Sequence, residues 1–219
     1  MGTEIDLLKN YPKPKRDVSG RAESKSEEDR ALAREFGKAF FDGDRSHGYG
    51  GFSYNSRFWE PVVPTFKDHW GMQPGNSLLD VGCAKGFMMY DFHRLIPGLA
   101  VEGIDISDYA IENGMEEMKP YLYVASADDL PYENNSFDYA ISITTIHNFD
   151  RTGVIKALQE LERVSRKGSF ITVDAYKNDE EKQRMHAWNL TAKTILHVDD
   201  WKELFKEAGY TGDYFWFMP

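Results

Sequence analysis

An acid inside an apolar run, followed by two spaced glycines, is the first arrangement in this sequence that carries chemistry. Residues 77–87 read SLLDVGCAKGF, with Asp80 two residues before Gly82 and Gly86 four residues further on. Such a stretch ends a buried strand and turns into a helix over a bound cofactor. Glycine lets the backbone approach a ligand closely, and the helix start offers free N–H groups and a positive dipole end. A second acid, Asp105, stands 19 residues after Gly86 at the end of VEGID. An acid there can accept hydrogen bonds from both hydroxyls of an adenosine ribose. Asp80 sharpens the reading. A dinucleotide-binding loop has an apolar residue at that place, because a pyrophosphate would be repelled. A carboxylate suits a ligand with a cationic portion.

Three further groups bear on the chemistry. His147, in TTIHNFD, follows an apolar run and falls on the ligand side of the fold. It suits a general base for a hydroxyl, a substrate-positioning group, or a histidine satisfied in the core. Cys83, the only cysteine, has no partner nearby in sequence and fits a packing role better than a nucleophilic one. Lys85 reads as a solvated residue at a helix start. The segment SHGYGGFSYNSRFW, residues 46–59, is rich in glycine and aromatics. It reads either as a glycine-hinged loop packing on the core or as a lid that excludes water, with Tyr49, Tyr54, Arg57 and Trp59 as its contacts. Aromatic rings near a cation add cation–π attraction, and Arg57 suits a phosphate or carboxylate of the substrate.

These residues need a scaffold. Apolar runs fall at 78–81, 99–104, 121–124, 139–143, 169–175 and 213–218, with helical patterns between most of them. Residues 151–166 carry Val154, Ile155, Leu158, Leu161 and Val164 on one stripe, closed by Gly168. Residues 199–208 carry Trp201, Leu204, Phe205 and Ala208, ended by Gly209, with His197 just before the helix cap. Strands alternating with helices predict a parallel sheet covered on both faces, which binds ligands at the carboxyl ends of its strands. Upstream, the spacing predicts one helix over 27–41 and another over 57–70, started or kinked by Pro61 and Pro64. The organisation expected is a polar, loose arm over 1–28, a helical and looped cap over 29–76, and the catalytic α/β domain over 77–219.

Bulk properties exclude several classes. A net charge of −10 argues against a nucleic-acid partner, which needs a cationic surface. The locally basic stretch of Lys9, Lys13, Lys15 and Arg16 is broken by Pro12 and Pro14 and reads as a solvated leader. No window is apolar enough for a membrane span, and no secretory h-region opens the chain. A lone cysteine and no leader fit a cytoplasmic protein. The six histidines show no metal spacing, so no metal is expected.

LLDVGCAKGF, VEGIDIS, ASADDLPYENNSFDYAISI and ALQELERVSRKGSFITVD, in this order and spacing, resemble the class I S-adenosylmethionine (SAM)-dependent methyltransferases. The resemblance implies a Rossmann-like three-layer sandwich with a seven-stranded, mostly parallel sheet and an antiparallel last strand. It implies SAM as cofactor and S-adenosylhomocysteine (SAH) as product. Asp80, Gly82, Cys83, Ala84 and Gly86 match the loop around the methionine end, with Ala84 where the family usually has Gly. Asp105 matches the ribose acid and Ile106 the apolar residue against adenine. Ser126 and Ala127 match the adenine edge. Ser126 replaces a frequent Asp, which Asp128 or Asp129 can compensate. Thr144 borders the methyl-transfer site, and RKGS stands for a usual Pro-Gly-Gly turn at 166–169. His186 and Trp188 fall where acceptor pockets are often lined. The activity implied is in-line methyl transfer to a small polar acceptor. A sugar or nucleotide-sugar hydroxyl is favoured because His147 can serve as base. The alternatives are other chemistry on bound SAM, a non-catalytic SAM-binding module, and an NAD-dependent oxidoreductase, against which Asp80 counts. The sequence is silent on the oligomeric state.

Overall fold

The apolar runs become strands whose side chains alternate between two cores. The structure, a computed structural model, describes residues 2–13 and 26–219. Seven strands, β1 (Ser77–Val81), β2 (Ala100–Asp105), β3 (Leu122–Val124), β4 (Phe137–Ile143), β5 (Ser165–Tyr176), β6 (Leu196–His197) and β7 (Asp213–Phe217), form one sheet. The order runs β3-β2-β1-β4-β5, and both β7 and the two-residue β6 pair with β5. Leu78, Tyr139, Ile141 and Phe170 enter one core, whereas Leu79, Val81, Ala140, Ile171 and Val173 enter the other. This is the period-two alternation of a strand, buried on both faces because helices cover both.

Helices α1 (Glu27–Ala33), α2 (Lys38–Asp42), α3 (Ser56–Trp59) and α4 (Val63–Trp70) precede the sheet. Within it come α5 (Phe87–Leu95), α6 (Asp108–Glu112), α7 (Arg151–Val164), α8 (Asp179–Trp188) and α9 (Val198–Ala208). Val154, Ala157, Leu158, Leu161 and Val164 of α7 meet Trp201, Leu204 and Phe205 of α9 in one core. Phe66 of α4 and Met88, Met89 and Phe92 of α5 fill the other. The result is the three-layer, Rossmann-like sandwich expected.

Several expectations are corrected. The last strand is not antiparallel: β7 pairs β5 in parallel, Phe170 opposite Asp213 through Asp174 opposite Phe217. The physical reason is the connection, since α9 carries the chain back along the sheet before β7 begins, as a crossover helix must. Residues 2–13 are not a loose arm. Ile5 donates its amide to Tyr214 O at 3.0 Å, Tyr214 returns its amide to Thr3 O at 3.1 Å, and Leu7 is buried with Phe66 and Phe170. Lys13 pairs with Asp6, while Lys15 and Arg16 lie outside the described residues. The helix expected over 27–41 is two, broken where Phe36 takes a φ of 50° before Gly37 caps α2. Gly168 does not close α7: the chain enters β5 at Ser165, so RKGS lies inside a strand whose pairing with β4 is irregular near Phe137 and Tyr139.

All sheet pairings between the named strands are parallel, so Val81, Asp105, Ile143 and Tyr176 end at one edge. The candidate residues converge there. Among the described residues, no helix is long and apolar enough to cross a membrane.

Candidate active site

The loop after β1 is bound to β2 before any ligand is considered. The amides of Gly82 and Cys83 both donate to Ile104 O, at 2.8 and 2.9 Å. Gly82 has a φ of 88°, and a Cβ there would stand 2.1 Å from Thr145 Oγ1. Glycine is therefore required twice over, by conformation and by space. Ala84 also takes a left-handed φ, 50°, which an alanine adopts only when its surroundings hold it there. What holds it is Asp105, whose Oδ2 accepts the Ala84 amide at 2.8 Å while Oδ1 accepts the Ser107 amide at 2.9 Å. Asp105 thus fastens the glycine loop to the start of α6, and each carboxylate oxygen retains a lone pair for a further donor. Burial raises the pKa of its carboxyl above the usual range, against the opposing amides of Ser107, Ala84 and Ile106.

Asp80 has a different environment. It is 3% exposed, and among the described residues no donor reaches its carboxylate. Burial, and then the nearby charge of Asp105, push its pKa up to about 8. A buried carboxylate without a partner is costly, and a cation placed against it recovers that cost. This is the fit expected for a ligand with a positively charged methionine end.

Ile106 is a large apolar residue left 55% exposed directly after Asp105, as a surface for an apolar ring would be. Ser126 donates its hydroxyl to Asp128, and its backbone pairs with Asp129 in a bridge, so Ser126, Ala127 and Asp128 form one turn. Ala127 is buried. Thr144 follows β4 with a φ of 50°, held by its amide donating to Thr172 O and Oγ1, both at 3.0 Å. A β-branched residue in that region is strained, and such strain gathers at functional turns.

His147 lies beside this turn, but its proton is in the wrong place for a base. Nδ1 accepts the Asp174 amide at 2.9 Å, so the neutral ring carries its proton on Nε2. The Asp174 carboxylate is 3.4 Å from the same Nδ1, a contact that becomes an ion pair only if the ring is protonated. Burial disfavours that, holding the pKa at about 3. This geometry lends the general-base expectation no support. His147 is a buried, neutral ring whose carbonyl also receives the Lys193 and Thr194 amides.

The lid residues disperse. Tyr54 donates to Asp91 Oδ1 at 2.8 Å on α5, and burial followed by that carboxylate raises its pKa to about 12. Trp59 packs against Tyr11, ring centroids 4.9 Å apart, in the core below the sheet. Arg57 is exposed, its guanidinium over Phe58. Tyr49 is 44% exposed and sits among Phe40, Phe41 and Phe52. His186 is exposed on α8, and Trp188 at its end faces Phe217 at 6.4 Å. Cys83 is buried, its thiol pushed up by burial and by the charges of Asp80 and Asp105, which leaves it a packing residue.

Lys85 is the clearest correction. It is not solvated: it is 7% exposed, with Nζ 2.6 Å from Asp42 Oδ2 and 3.0 Å from Phe52 O. Tyr109 donates to the same Oδ2 at 2.7 Å, and Phe52 N to Oδ1 at 3.0 Å. Asp42 and Tyr109 carried no sequence signal. Ser107, not singled out from the sequence, caps α6 and donates its hydroxyl to Phe36 O at 2.5 Å.

A family model for the methyltransferase domain matches residues 79–173, the span that holds the loop, both acids and His147. The chain is similar to the demethylmenaquinone methyltransferase of Symbiobacterium thermophilum, 30% identical over 65% of this chain and 59% of that one. Its fold is similar to the geranyl diphosphate C-methyltransferase of Streptomyces coelicolor in complex with Mg2+, geranyl diphosphate and SAH. That likeness has a TM-score of 0.54 and 16% identity over 69% of this chain and 60% of that one. A [4+2]-cyclase, SpnF, shares the fold at a TM-score of 0.55 and 19% identity, over 68% of this chain and 58% of that one. The chain spans between 33% and 60% of the length of the first three curated relatives. Residues 79–173 are thus similar to a methyltransferase domain, the class that the sequence motifs resemble.

Proposed function

We propose that the protein transfers a methyl group from SAM to a small-molecule acceptor. The observation that carries this is Asp80, a buried carboxylate without a donor, standing between a glycine-lined loop and an acid with spare acceptor capacity. Gly82, Cys83, Ala84 and Gly86 would line the methionine end, Asp80 would compensate its charge, and Asp105 would take the ribose hydroxyls. Ile106 and the Ser126–Asp128 turn would meet the adenine. Bound there, SAM supplies a methyl group already activated on a sulfonium. The chain's own part is to hold donor and acceptor in line and exclude water, the effect of proximity in a closed site.

The acceptor follows from what His147 does not do. A sugar or nucleotide-sugar hydroxyl needs its proton removed as it attacks, and that expectation rested on His147 as base. A neutral ring with its proton on Nε2 gives it no support. We therefore favour an acceptor whose nucleophilic atom is acidic enough to ionise near neutral pH, such as a phenol, an enol or a carboxylate. The relatives' acceptors are in keeping with this breadth, since the name of one is a demethylmenaquinone enzyme and that of another a malonyl-[acyl-carrier protein] O-methyltransferase. The second reading, SAM-binding without methyl transfer, is favoured by the fold shared with a [4+2]-cyclase.

A thermal-shift assay with SAH, SAM and NADH tests the donor. At about a hundred-fold excess over Kd, a true ligand stabilises by about 2.7 kcal/mol, which for a chain of this size raises Tm by roughly 5–11 °C. A shift with NADH alone overturns the reading. Incubation with methyl-labelled SAM and panels of phenols, carboxylic acids and sugars then identifies the acceptor. Product formation with no label transferred supports the second reading.

A further inference from the structure

Lys85 belongs by its backbone to the loop that would surround a cationic donor, and its side chain carries an ammonium. Its backbone lies between Ala84, whose amide is held by Asp105, and Gly86, which opens α5. Left alone, that charge would oppose a sulfonium. It is not left alone. The chain turns the Lys85 side chain away from water, into the N-terminal cap, where it meets Asp42 at 2.6 Å.

Asp42 is the hub of that contact. Its Oδ2 takes Lys85 from the glycine loop and Tyr109 from α6, and its Oδ1 takes the Phe52 amide. The Phe52 carbonyl accepts a second bond from Lys85. One carboxylate therefore joins α2, the aromatic segment around Phe52, the glycine loop and the helix after Asp105. Burial alone would raise its pKa, but the bonds from Lys85, Phe52 and Tyr109 overcome it and hold the carboxyl at about 2, fully charged at neutral pH. A second tether, Ser107 Oγ to Phe36 O, runs between the same two bodies. The aromatic segment rests on α5 at this point, with Phe52 and Phe87 ring centroids 5.0 Å apart.

We propose that Asp42, acting through Lys85, is a positioning residue that holds the 36–54 cap onto the donor loop and sets the preference between SAM and SAH. The inference rests on the donor reading given above. SAM and SAH differ by a methyl group and one positive charge at sulfur. Removing the charge of Asp42 leaves the Lys85 ammonium uncompensated beside the site, which penalises SAM more than SAH. Removing Lys85 leaves Asp42 uncompensated, which favours SAM over SAH.

Isothermal titration calorimetry with SAM and with SAH, at low ionic strength, reads this on the full chain. In Asp42→Asn the ratio of Kd for SAM to Kd for SAH rises about five-fold over wild type. In Lys85→Met it falls by a similar factor, and in the double variant it returns to the wild-type value. A merely structural role would weaken both ligands together and leave the ratio fixed. Hydrogen exchange without ligand reads the latch: amides of residues 38–54 exchange at least about ten times faster in either single variant. If Asp42→Asn does not fold, Lys85→Met carries both tests, because it breaks the same latch with the opposite change of charge. An unchanged ratio overturns the role in donor preference, and unchanged exchange overturns the latch. Wild-type protein that binds neither SAM nor SAH overturns the donor reading instead, and hydrogen exchange still decides the latch.

Discussion

The Nδ1 atom of His147 accepts the backbone amide of Asp174 at 2.9 Å, a bond between the turn after β4 and the end of β5. The histidine is thus part of the frame that sets the mouth of the site. Replacing it with alanine leaves the Asp174 amide without its acceptor in a buried position, at a cost of about 1–3 kcal/mol. The expected outcome for His147→Ala is a lower Tm with SAH affinity retained. In the wild type, the turnover–pH profile should have no limb near the ordinary histidine pKa that vanishes in the variant. A limb near pH 6.5 that disappears with His147 would restore it as the base.

Asp80 makes donor binding depend on pH. Its folded-state pKa is raised to about 8, so without ligand the carboxyl holds a proton below that pH. A cationic ligand must expel the proton, and affinity for SAM should rise by up to about tenfold per pH unit between pH 6 and 8. The same shift acts on folding with the opposite consequence. A carboxyl raised in the folded state contributes stability that is fully present below its unfolded pKa and lost as pH rises through about 8. Asp80→Asn should flatten both dependences. Calorimetry in buffers of different ionisation enthalpy measures the proton released, and none released at pH 7 would refute the assignment.

Asp105 serves the loop and, in the reading proposed, the ribose. Asp105→Ala strips the Ala84 and Ser107 amides of their acceptor as well as any ligand hydroxyl. SAH binding should weaken by roughly 1–3 kcal/mol, with Tm of the free protein also reduced. Wild-type SAH affinity in this variant would remove the ribose role and leave only the structural one.

Gly82→Ala tests the loop from its other side. The new Cβ would meet Thr145 Oγ1 at 2.1 Å, at a φ of 88°. Strain and overpacking together should cost at least about 2 kcal/mol and abolish the SAH-induced thermal shift. Thr145→Gly in the same chain removes the clash but not the backbone strain, so it should rescue stability only in part. Full rescue would mean that space alone demands glycine here.

The sheet and the donor loop were legible because local rules govern them. Apolar runs with turn signals made six of the seven strands, and the acid–glycine spacing located the loop. β6, two residues long, leaves no periodic signal. What escaped depended on partners distant in sequence. Lys85 looks solvated until the fold brings Asp42 to it across 43 residues, and no pattern around Asp42 announces that. His147 was found as a residue, but its role turned on which ring nitrogen meets the Asp174 amide, and that is set by the fold. Trp59 and Tyr54 share a segment with Tyr49 yet face different neighbours, because Trp59 ends α3 whereas Tyr54 precedes it. The antiparallel last strand came with the family resemblance and not from these residues, whose α9 crossover calls for a parallel one.

The N-terminal segment should prove part of the folded unit. Leu7 is 1% exposed and shares a core with Val62, Phe66, Met72 and Phe170, four residues from two other parts of the chain. Truncating a fully buried leucine to alanine removes its contacts and leaves a cavity, at a cost of about 2–5 kcal/mol. In a chain of this size Leu7→Ala should lower Tm by roughly 4–20 °C. Because Leu7 belongs to the core on the Phe66 side of the sheet and not to the strand ends, SAH affinity at 25 °C should change little. Deleting residues 2–8 should cost at least as much, since the Tyr214 carbonyl and the Ile5 amide then lose each other on the edge of β7. A truncated chain that melts like the full one would return this segment to the loose arm that its polar composition suggests.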